Sequence, residues 1–131
     1  PVEAENRSTE ATAARDILLV EDDVTVAEVV GALLRSQGHR VTHAPHGLAA
    51  LAEIRAQRFA LVLMDLDLPG INGFEITRLI VAGEDPPPVV ALTARADARA
   101  EERATEAGMQ GFLRKPVSGE DLAAAVRRHA G

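Results

Sequence analysis

Short, uninterrupted apolar runs alternate along this chain with longer segments in which apolar residues recur every three or four positions. Three runs are entirely apolar, at residues 17–20, 61–64 and 89–92, and two weaker ones lie at 40–44 and 110–114. Apolar runs of this length that are bounded by polar turns are typical of strands buried on both faces of a sheet. We expect the weaker segment 40–44 to lie at an edge of that sheet.

Each run is followed by a stretch with the period of an amphipathic helix. The first such stretch has apolar residues at Val26, Val29, Val30, Leu33 and Leu34, and a glycine at position 38 ends it. Further helices are predicted near residues 48–59, 74–81, 98–107 and 118–129. In the last of these, Ser118 is the expected N-cap and Asp121 completes a capping box.

Five strand–helix units in succession predict an α/β protein with a parallel sheet and helices on both of its faces. We expect a flavodoxin-like, doubly wound (βα)5 architecture with the strand order 2-1-3-4-5. Residues 1–15 are polar and aperiodic, which is typical of a disordered linker or tail, and residues 16–131 form the predicted domain. Because the chain begins with Pro1 rather than Met, we expect it to be a segment of a longer protein, with processing of the N-terminus as the alternative.

Composition excludes several classes of function. The net charge is -6 and the basic residues are not clustered, which argues against nucleic-acid binding by this segment. The chain has no apolar run long enough to span a bilayer and no signal peptide, so no membrane contact is predicted. It also contains no cysteine, which excludes disulfides and thiolate metal sites and fits a cytoplasmic location.

Polar side chains of unusual density follow the predicted strands. In chain order they are Glu21, Asp22, Asp23, Asp65, Asp67, Thr93 and Lys115. The carboxyl ends of parallel strands meet at one edge of the sheet, where ligands bind. Clustered carboxylates repel one another unless a cation neutralises them, and an oxygen-only ligand set favours Mg²⁺ or Mn²⁺ over zinc. Such a site suits phosphoryl transfer, with one carboxylate as the nucleophile.

Four stretches of the sequence together resemble the receiver domain of two-component response regulators. They are ILLVEDD at residues 17–23, LMDLDLPGING at 63–73, VVALTA at 89–94 and GFLRKP at 111–116. They occur in order and with the spacing of that family, and the resemblance extends over residues 16–129. It implies a domain that catalyses its own phosphorylation and dephosphorylation.

The resemblance also implies a role for each site residue. Asp65 would be the phosphoacceptor. The metal would be held by Asp22, Asp65 and the carbonyl of Asp67, and by Glu21 either directly or through water. Thr93 and Lys115 would bind the phosphoryl group, and the Lys115–Pro116 bond would be cis. Thr93 and Phe112 would move together as a switch that reshapes the surface of helix 4, strand 5 and helix 5. Asp67 and Arg95 stand where the family tunes the lifetime of the aspartyl phosphate, and we expect these two to form an ion pair.

The resemblance extends to the biological context. Residues 107–117 are most similar to receivers of hybrid sensor histidine kinases, and a stand-alone response regulator is the alternative. The implied partner is a kinase or a histidine phosphotransfer domain that carries a phosphohistidine. We expect a monomer or a weak, phosphorylation-dependent dimer, located in the cytoplasm or in the cytoplasmic part of a membrane-bound kinase.

Simpler interpretations accompany several of these residues. Asp23 is expected to cap the first helix rather than to bind metal. Residues 67–70 form a turn by composition, which is compatible with a metal site. Three other functions are alternatives. The D-x-D at residues 65–67 resembles that of haloacid-dehalogenase-like phosphatases. A flavin-binding module is disfavoured by the acidic residues at 21–23. The third alternative is a pseudo-receiver that is never phosphorylated.

Overall fold

The computed structural model describes residues 13–67, 72–94 and 97–130. Within these residues the chain forms strands β1 (Asp16–Val20), β2 (Arg40–Ala44), β3 (Leu61–Asp65), β4 (Val89–Thr93) and β5 (Gly111–Arg114). The helices are α1 (Val24–Ser36), α2 (Gly47–Ala56), α3 (Gly73–Val81), α4 (Ala98–Ala107) and α5 (Gly119–His129).

The five strands are parallel and lie in the order β2-β1-β3-β4-β5, which confirms the predicted flavodoxin-like sheet. β1 sits between two partners, so that Ile17 pairs with Val41 on one side and with Leu61 on the other. β2 is at an edge, as its more polar sequence predicts. The central strands β3 and β4 are buried along their whole length.

The sheet separates two apolar cores, because alternate side chains of a strand point to opposite faces. On one face Val62 and Met64 of β3 pack with residues of α2, α3 and α4. On the other face Leu61 and Leu63 pack with residues of α1 and α5. A strand covered by helices on both sides needs apolar residues at every position, which explains the unbroken apolar runs.

Local sequence signals set the helix ends. The capping box is present: the Ser118 hydroxyl accepts from the Asp121 N–H, and the Asp121 carboxylate accepts from the Ser118 N–H. Gly108 ends α4 with a φ of 103°, a conformation that favours glycine. α2 ends at Ala56, three residues short of the predicted limit, because Gln57 adopts an extended conformation. Phe59 is nevertheless buried, in the loop before β3.

The N-terminal linker predicted for residues 1–15 stays a prediction, since residues 1–12 lie outside the described part of the chain. At its end, Arg15 is already tied to the domain: its N–H donates to Nδ1 of His39, and its carbonyl accepts from the Arg40 N–H. None of the helices in the described ranges has both the length and the apolar character needed to cross a bilayer.

Candidate functional site

The hydrogen-bond ladder of the sheet continues past the strand ends and fixes the residues that follow them. The Glu21 N–H donates to Ala44 O at 3.0 Å, and the Lys115 N–H donates to Thr93 O at 2.8 Å. The acidic residues after β1 and β3, the hydroxyl at the end of β4 and the lysine after β5 therefore meet at one edge. This is the edge at which the sequence places the ligand site.

The turn after β1 holds its three acidic residues in different ways. Glu21 points inward and is 1% exposed, whereas Asp22 and Asp23 are exposed. Asp23 caps α1, with its Oδ1 accepting from Thr25 N at 2.9 Å and from Val26 N at 3.2 Å. The prediction that Asp23 is a helix cap is confirmed.

Asp65, the last residue of β3, is 1% exposed and its carboxylate is held from two sides. Its Oδ1 accepts from the Asp67 N–H at 2.9 Å and lies 3.2 Å from Nζ of Lys115. Behind it, α3 begins so close to the strand that a Cβ built on Gly73 would lie 2.7 Å from the Asp65 carbonyl oxygen. Only a glycine allows this approach.

Lys115 joins the two buried carboxylates. Its Nζ lies 2.7 Å from Glu21 Oε1 and 3.2 Å from Asp65 Oδ1, and its side chain is 18% exposed. The contact with Glu21 is an ion pair without good hydrogen-bond geometry, so Glu21 Oε1 is buried with no hydrogen-bond partner. A buried carboxylate oxygen that has no hydrogen-bond partner can bind a further positively charged ligand, such as a cation.

The proximity of these three groups shifts their pKa values. Burial raises the pKa of Glu21 to about 7, and the Asp65 carboxylate adds to this rise while Lys115 opposes it. Burial also tends to raise the pKa of Asp65. Hydrogen bonding with Glu21 and with the Asp67 N–H and the charge of Lys115 outweigh burial, so the pKa of Asp65 is lowered. Burial disfavours the charge on Lys115, but the two carboxylates outweigh burial and raise its pKa. The site thus combines an ionised Asp65 and a charged Lys115 with a Glu21 that keeps its proton to higher pH than an exposed glutamate.

Three carboxyl groups fit a divalent cation. Glu21, Asp22 and Asp65 each offer an oxygen atom, and these atoms lie within 4.8 Å of one another. Two of the three residues are buried, one with an oxygen that lacks a hydrogen-bond partner. Hard oxygen donors of this kind suit Mg²⁺ or Mn²⁺. Within the described ranges this is the one such group of His, Cys, Asp and Glu side chains.

The remaining predicted residues, apart from Arg95, lie in the described part of the chain. Thr93 is 1% exposed at the end of β4. Phe112, on β5, is partly buried and packs against the core between the sheet and α2, α3 and α4. The Lys115–Pro116 bond is cis, as the resemblance implies. The predicted ion pair of Asp67 with Arg95 cannot be located, because Arg95 lies outside the described residues.

The sequence does not predict two contacts of the site. One is the ion pair of Lys115 with Glu21. In the other, Nε2 of His43, on β2, lies 2.6 Å from the carbonyl oxygen of Glu21. No motif signals the contact of His43, because Glu21 follows β1 and only the sheet brings β1 and β2 together. The register, in which Leu19 pairs with His43, is the information that the sequence lacks.

A cavity of about 560 Å³ lies elsewhere, lined by residues that include Phe59, Ile80 and Pro88. It is remote from the acidic cluster, at the edge where β3 and β4 begin. Two of its charged lining residues, Arg58 and Asp85, are exposed and form an ion pair at 3.0 Å.

Comparison with known proteins identifies the family. The model of the response regulator receiver domain matches residues 17–127. This chain belongs to that family. The match runs from β1 into α5 and includes all the acidic residues and the lysine of the site. Receiver domains act in two-component signal transduction, where they accept phosphoryl groups from histidine kinases.

This receiver domain resembles curated proteins of two kinds. It is 40% identical over 111 residues to the transcriptional regulatory protein AfsQ1 of Streptomyces coelicolor, covering 85% of this chain and 49% of AfsQ1. It is 34% identical over 133 residues to the sensor histidine kinase GacS of Pseudomonas protegens, covering 98% of this chain and 14% of GacS. The chain thus spans about half the length of the regulator and a small part of the kinase.

Among solved structures, the receiver domain of the sensor histidine kinase PA1611 of Pseudomonas aeruginosa superimposes with a TM-score of 0.84 at 39% identity. The alignment covers 91% of this chain and 99% of that domain. That crystal structure has a magnesium ion coordinated in its active site cleft.

Proposed function

We propose that Asp65 accepts a phosphoryl group from a phosphohistidine on a partner protein, in a reaction that depends on a divalent cation. The observation that carries the proposal is the buried Asp65 carboxylate, held between Lys115 and two further acidic side chains at the ligand edge of the sheet. Its lowered pKa keeps it ionised, as a nucleophile must be.

In this reaction a carboxylate oxygen of Asp65 forms a bond to phosphorus while the bond from phosphorus to the histidine nitrogen breaks. The histidine keeps the electron pair of the broken bond and becomes neutral after protonation. The Asp67 N–H and Lys115 both contact Oδ1, so they orient the carboxylate before the donor arrives. Such positioning and charge neutralisation are most of what phosphoryl transfer requires from a protein.

The incoming phosphoryl group brings negative charge to a site that already contains three carboxyl groups. Lys115 is the nearby ammonium that pairs with the phosphoryl oxygens, and the Thr93 hydroxyl donates to them. Magnesium, held by Glu21, Asp22, Asp65 and the carbonyl of Asp67, supplies the remaining positive charge when bound. Manganese suits the same oxygen ligands. The magnesium in the cleft of the related PA1611 receiver supports this assignment.

Phosphorylation would then bias the domain between two packings. Thr93 and the partly buried Phe112 are the residues proposed to move, because one ends β4 at the site and the other lies on the adjacent β5. Their movement would reshape the surface formed by α4, β5 and α5, which a partner or a second copy reads. Asp67 and Arg95 are proposed to set how long the phosphoryl group stays.

We further propose that this receiver is part of a hybrid sensor histidine kinase in the cytoplasm. The alignment with GacS over 98% of the chain supports this, as does the likeness to the PA1611 receiver. The likeness to AfsQ1 supports the alternative, a response regulator with its own output domain. The coding sequence on either side of this segment decides between them, since only a hybrid kinase encodes a kinase core upstream.

The central proposal is tested by incubating the domain with magnesium and acetyl phosphate and measuring its intact mass. The chain has no Trp or Tyr, so mass is a better readout than fluorescence. We expect one added phosphoryl group, which disappears in Asp65→Asn and in a sample with chelator. A domain that neither gains mass nor binds magnesium would contradict the proposal and support a pseudo-receiver that acts by protein contact alone.

A further inference from the structure

The peptide unit between Glu21 and Asp22 links two of the three acidic residues that fit a cation. Its carbonyl oxygen lies 2.6 Å from Nε2 of His43. A carbonyl oxygen can only accept, so Nε2 carries the hydrogen and the imidazole donates. The edge strand β2 thus supplies a side-chain donor directly to the backbone of the acidic turn.

This hydrogen bond constrains more than one atom, because a peptide unit is planar. The carbonyl of Glu21 and the N–H of Asp22 belong to one plane, together with the Cα atoms of both residues. The preceding peptide unit is fixed as well, since the Glu21 N–H donates to Ala44 O at 3.0 Å. Both peptide units that flank Glu21 are therefore tied to consecutive residues of β2.

The direction of these two side chains depends on that backbone. Glu21 turns inward to Lys115 while Asp22 remains exposed, yet their carboxylate oxygens still reach within 4.8 Å of each other and of Asp65. An uncompensated rotation about ψ of Glu21, which moves the Glu21 carbonyl oxygen, would turn the two Cα–Cβ bonds relative to each other and separate these oxygens. The hydrogen bond from His43 opposes that rotation.

The fold does not require a histidine at this position. His43 is exposed on an edge strand, where many residues suit the sheet and water can satisfy a carbonyl group. The acidic turn itself has other anchors, because Asp23 caps α1 and its N–H donates to Glu21 Oε2 at 3.3 Å. These anchors act on the Glu21 side chain and on Asp23, whereas His43 acts on the peptide between the two acidic ligands.

We propose that His43 is a positioning residue for the cation site: its Nε2–H fixes the Glu21–Asp22 peptide so that both carboxylates face one cation. The inference rests on the proposed magnesium-dependent phosphoacceptor function. It assigns a role in that function to a residue of β2, a strand that contributes no side chain to the cation or to the phosphoryl group.

The test compares two substitutions of equal length that differ in the donor. His43→Gln keeps an N–H group at about the reach of Nε2, whereas His43→Met does not. Magnesium affinity is measured by titrating the unphosphorylated domain and following its backbone amide NMR chemical shifts. Stability is measured by urea unfolding in chelator. If His43→Met does not fold, His43→Thr replaces it. Threonine suits an edge strand, and its side chain is too short to donate to the Glu21 carbonyl oxygen.

Loss of one hydrogen bond is expected to weaken magnesium binding about threefold to tenfold in His43→Met. We expect His43→Gln to restore most of that affinity and both variants to have similar stability in chelator. If His43 acted in folding alone, both variants would lose stability, and the magnesium affinities of His43→Gln and His43→Met would not differ. In an Asp22→Asn background the effect of His43→Met should shrink, because one of the two positioned carboxylates is gone.

The outcomes separate this inference from the function on which it rests. A wild-type domain that binds magnesium and takes up the phosphoryl group, with a His43→Met variant of equal affinity, overturns the role of His43 alone. Equal losses in His43→Gln and His43→Met overturn it too. A wild-type domain that binds no magnesium overturns both proposals.

Discussion

Replacing Glu21 by glutamine should stabilise the magnesium-free domain, even though Glu21 is proposed to hold the cation. Glu21 is 1% exposed and faces the Asp65 carboxylate, and burial raises its pKa to about 7. Glutamine has the shape of the protonated side chain, and its carbonyl oxygen can lie beside Nζ of Lys115 as Glu21 Oε1 does. The substitution therefore mimics the form of Glu21 that the metal-free fold prefers.

The size of the effect follows from the pKa of Glu21 in the folded and unfolded states. The pKa of Glu21 in the folded state lies above its unfolded value of 4.5. The stability that protonated Glu21 contributes to the fold is therefore complete below pH 4.5 and is lost as the pH rises through about 7. A difference of about 2.5 pH units, at ~1.36 kcal/mol each, corresponds to about 3 kcal/mol lost by wild type above pH 7. Glu21→Gln keeps this contribution at all pH values, so its advantage should grow from near zero at pH 4.5 to about 3 kcal/mol at pH 8.

Urea unfolding in chelator between pH 4.5 and 8 measures this advantage. With an m-value of about 1–3 kcal/mol/M, the midpoint of Glu21→Gln should exceed that of wild type by roughly 1–3 M at pH 8. Titrating groups that do not contact Glu21, such as His39 and His129, affect both proteins alike and cancel in the difference. Asp65 and Lys115 do contact Glu21, so their pKa values also change in Glu21→Gln. The exposed Glu28→Gln is a matched control and should follow wild type throughout.

Magnesium should reverse the ranking in part, because a ligand stabilises the fold that binds it and Glu21→Gln lacks one carboxylate. The reasoning about Glu21 fails if the unfolding midpoints of Glu21→Gln and wild type differ by the same amount at every pH. A constant difference would mean that the substitution changes packing rather than the cost of a buried charge.

Two further predictions concern the support of the site and the acid stability of the fold. Gly73→Ala should destabilise the domain by about 1–3 kcal/mol and slow phosphorylation, because its Cβ would lie 2.7 Å from the Asp65 carbonyl oxygen. Gly31→Ala is the control, since its Cβ would meet only the flexible end of Arg35, and urea unfolding should show a gain of about 0.5–1 kcal/mol. His39→Asn should flatten the loss of stability between pH 7 and 5. Burial and a nearby arginine lower the pKa of His39. The stability that neutral His39 contributes to the fold is therefore complete above pH 6.5 and is lost as the pH falls. Urea unfolding midpoints that fall by the same amount from pH 7 to pH 5 in His39→Asn and in wild type would contradict this role of His39.

The central strands could be predicted because burial on both faces leaves a strong mark on the sequence, whereas their order was expected from the doubly wound architecture. Every residue of β3 and of β4 is buried, so no polar position interrupts either run before Asp65 and Thr93. β5 is a weaker signal because its residues are half-buried or exposed, and its start was predicted one residue early. The extent of α2 was overestimated for a related reason: Phe59 is a core residue, but it reaches the core from a loop.

The meeting of Glu21, Asp22, Asp65 and Lys115 could be predicted, because chemically unusual side chains follow the strands and match the spacing of a family. Asp23 as the cap of α1 was also predictable, since capping is a local interaction of residues close in sequence. The cis bond between Lys115 and Pro116 was expected from the resemblance and is present.

By itself, the sequence determined the parallel α/β fold, its family and the acidic residues that meet at one edge, because each depends on short-range patterns. Only the tertiary structure decided how those residues interact. Lys115 joins Glu21 to Asp65, and a histidine on a neighbouring strand anchors the backbone of Glu21. These contacts join residues far apart in the chain, and their distances and burial set which carboxyl group holds a proton. That balance depends on the packed arrangement, which no local pattern encodes.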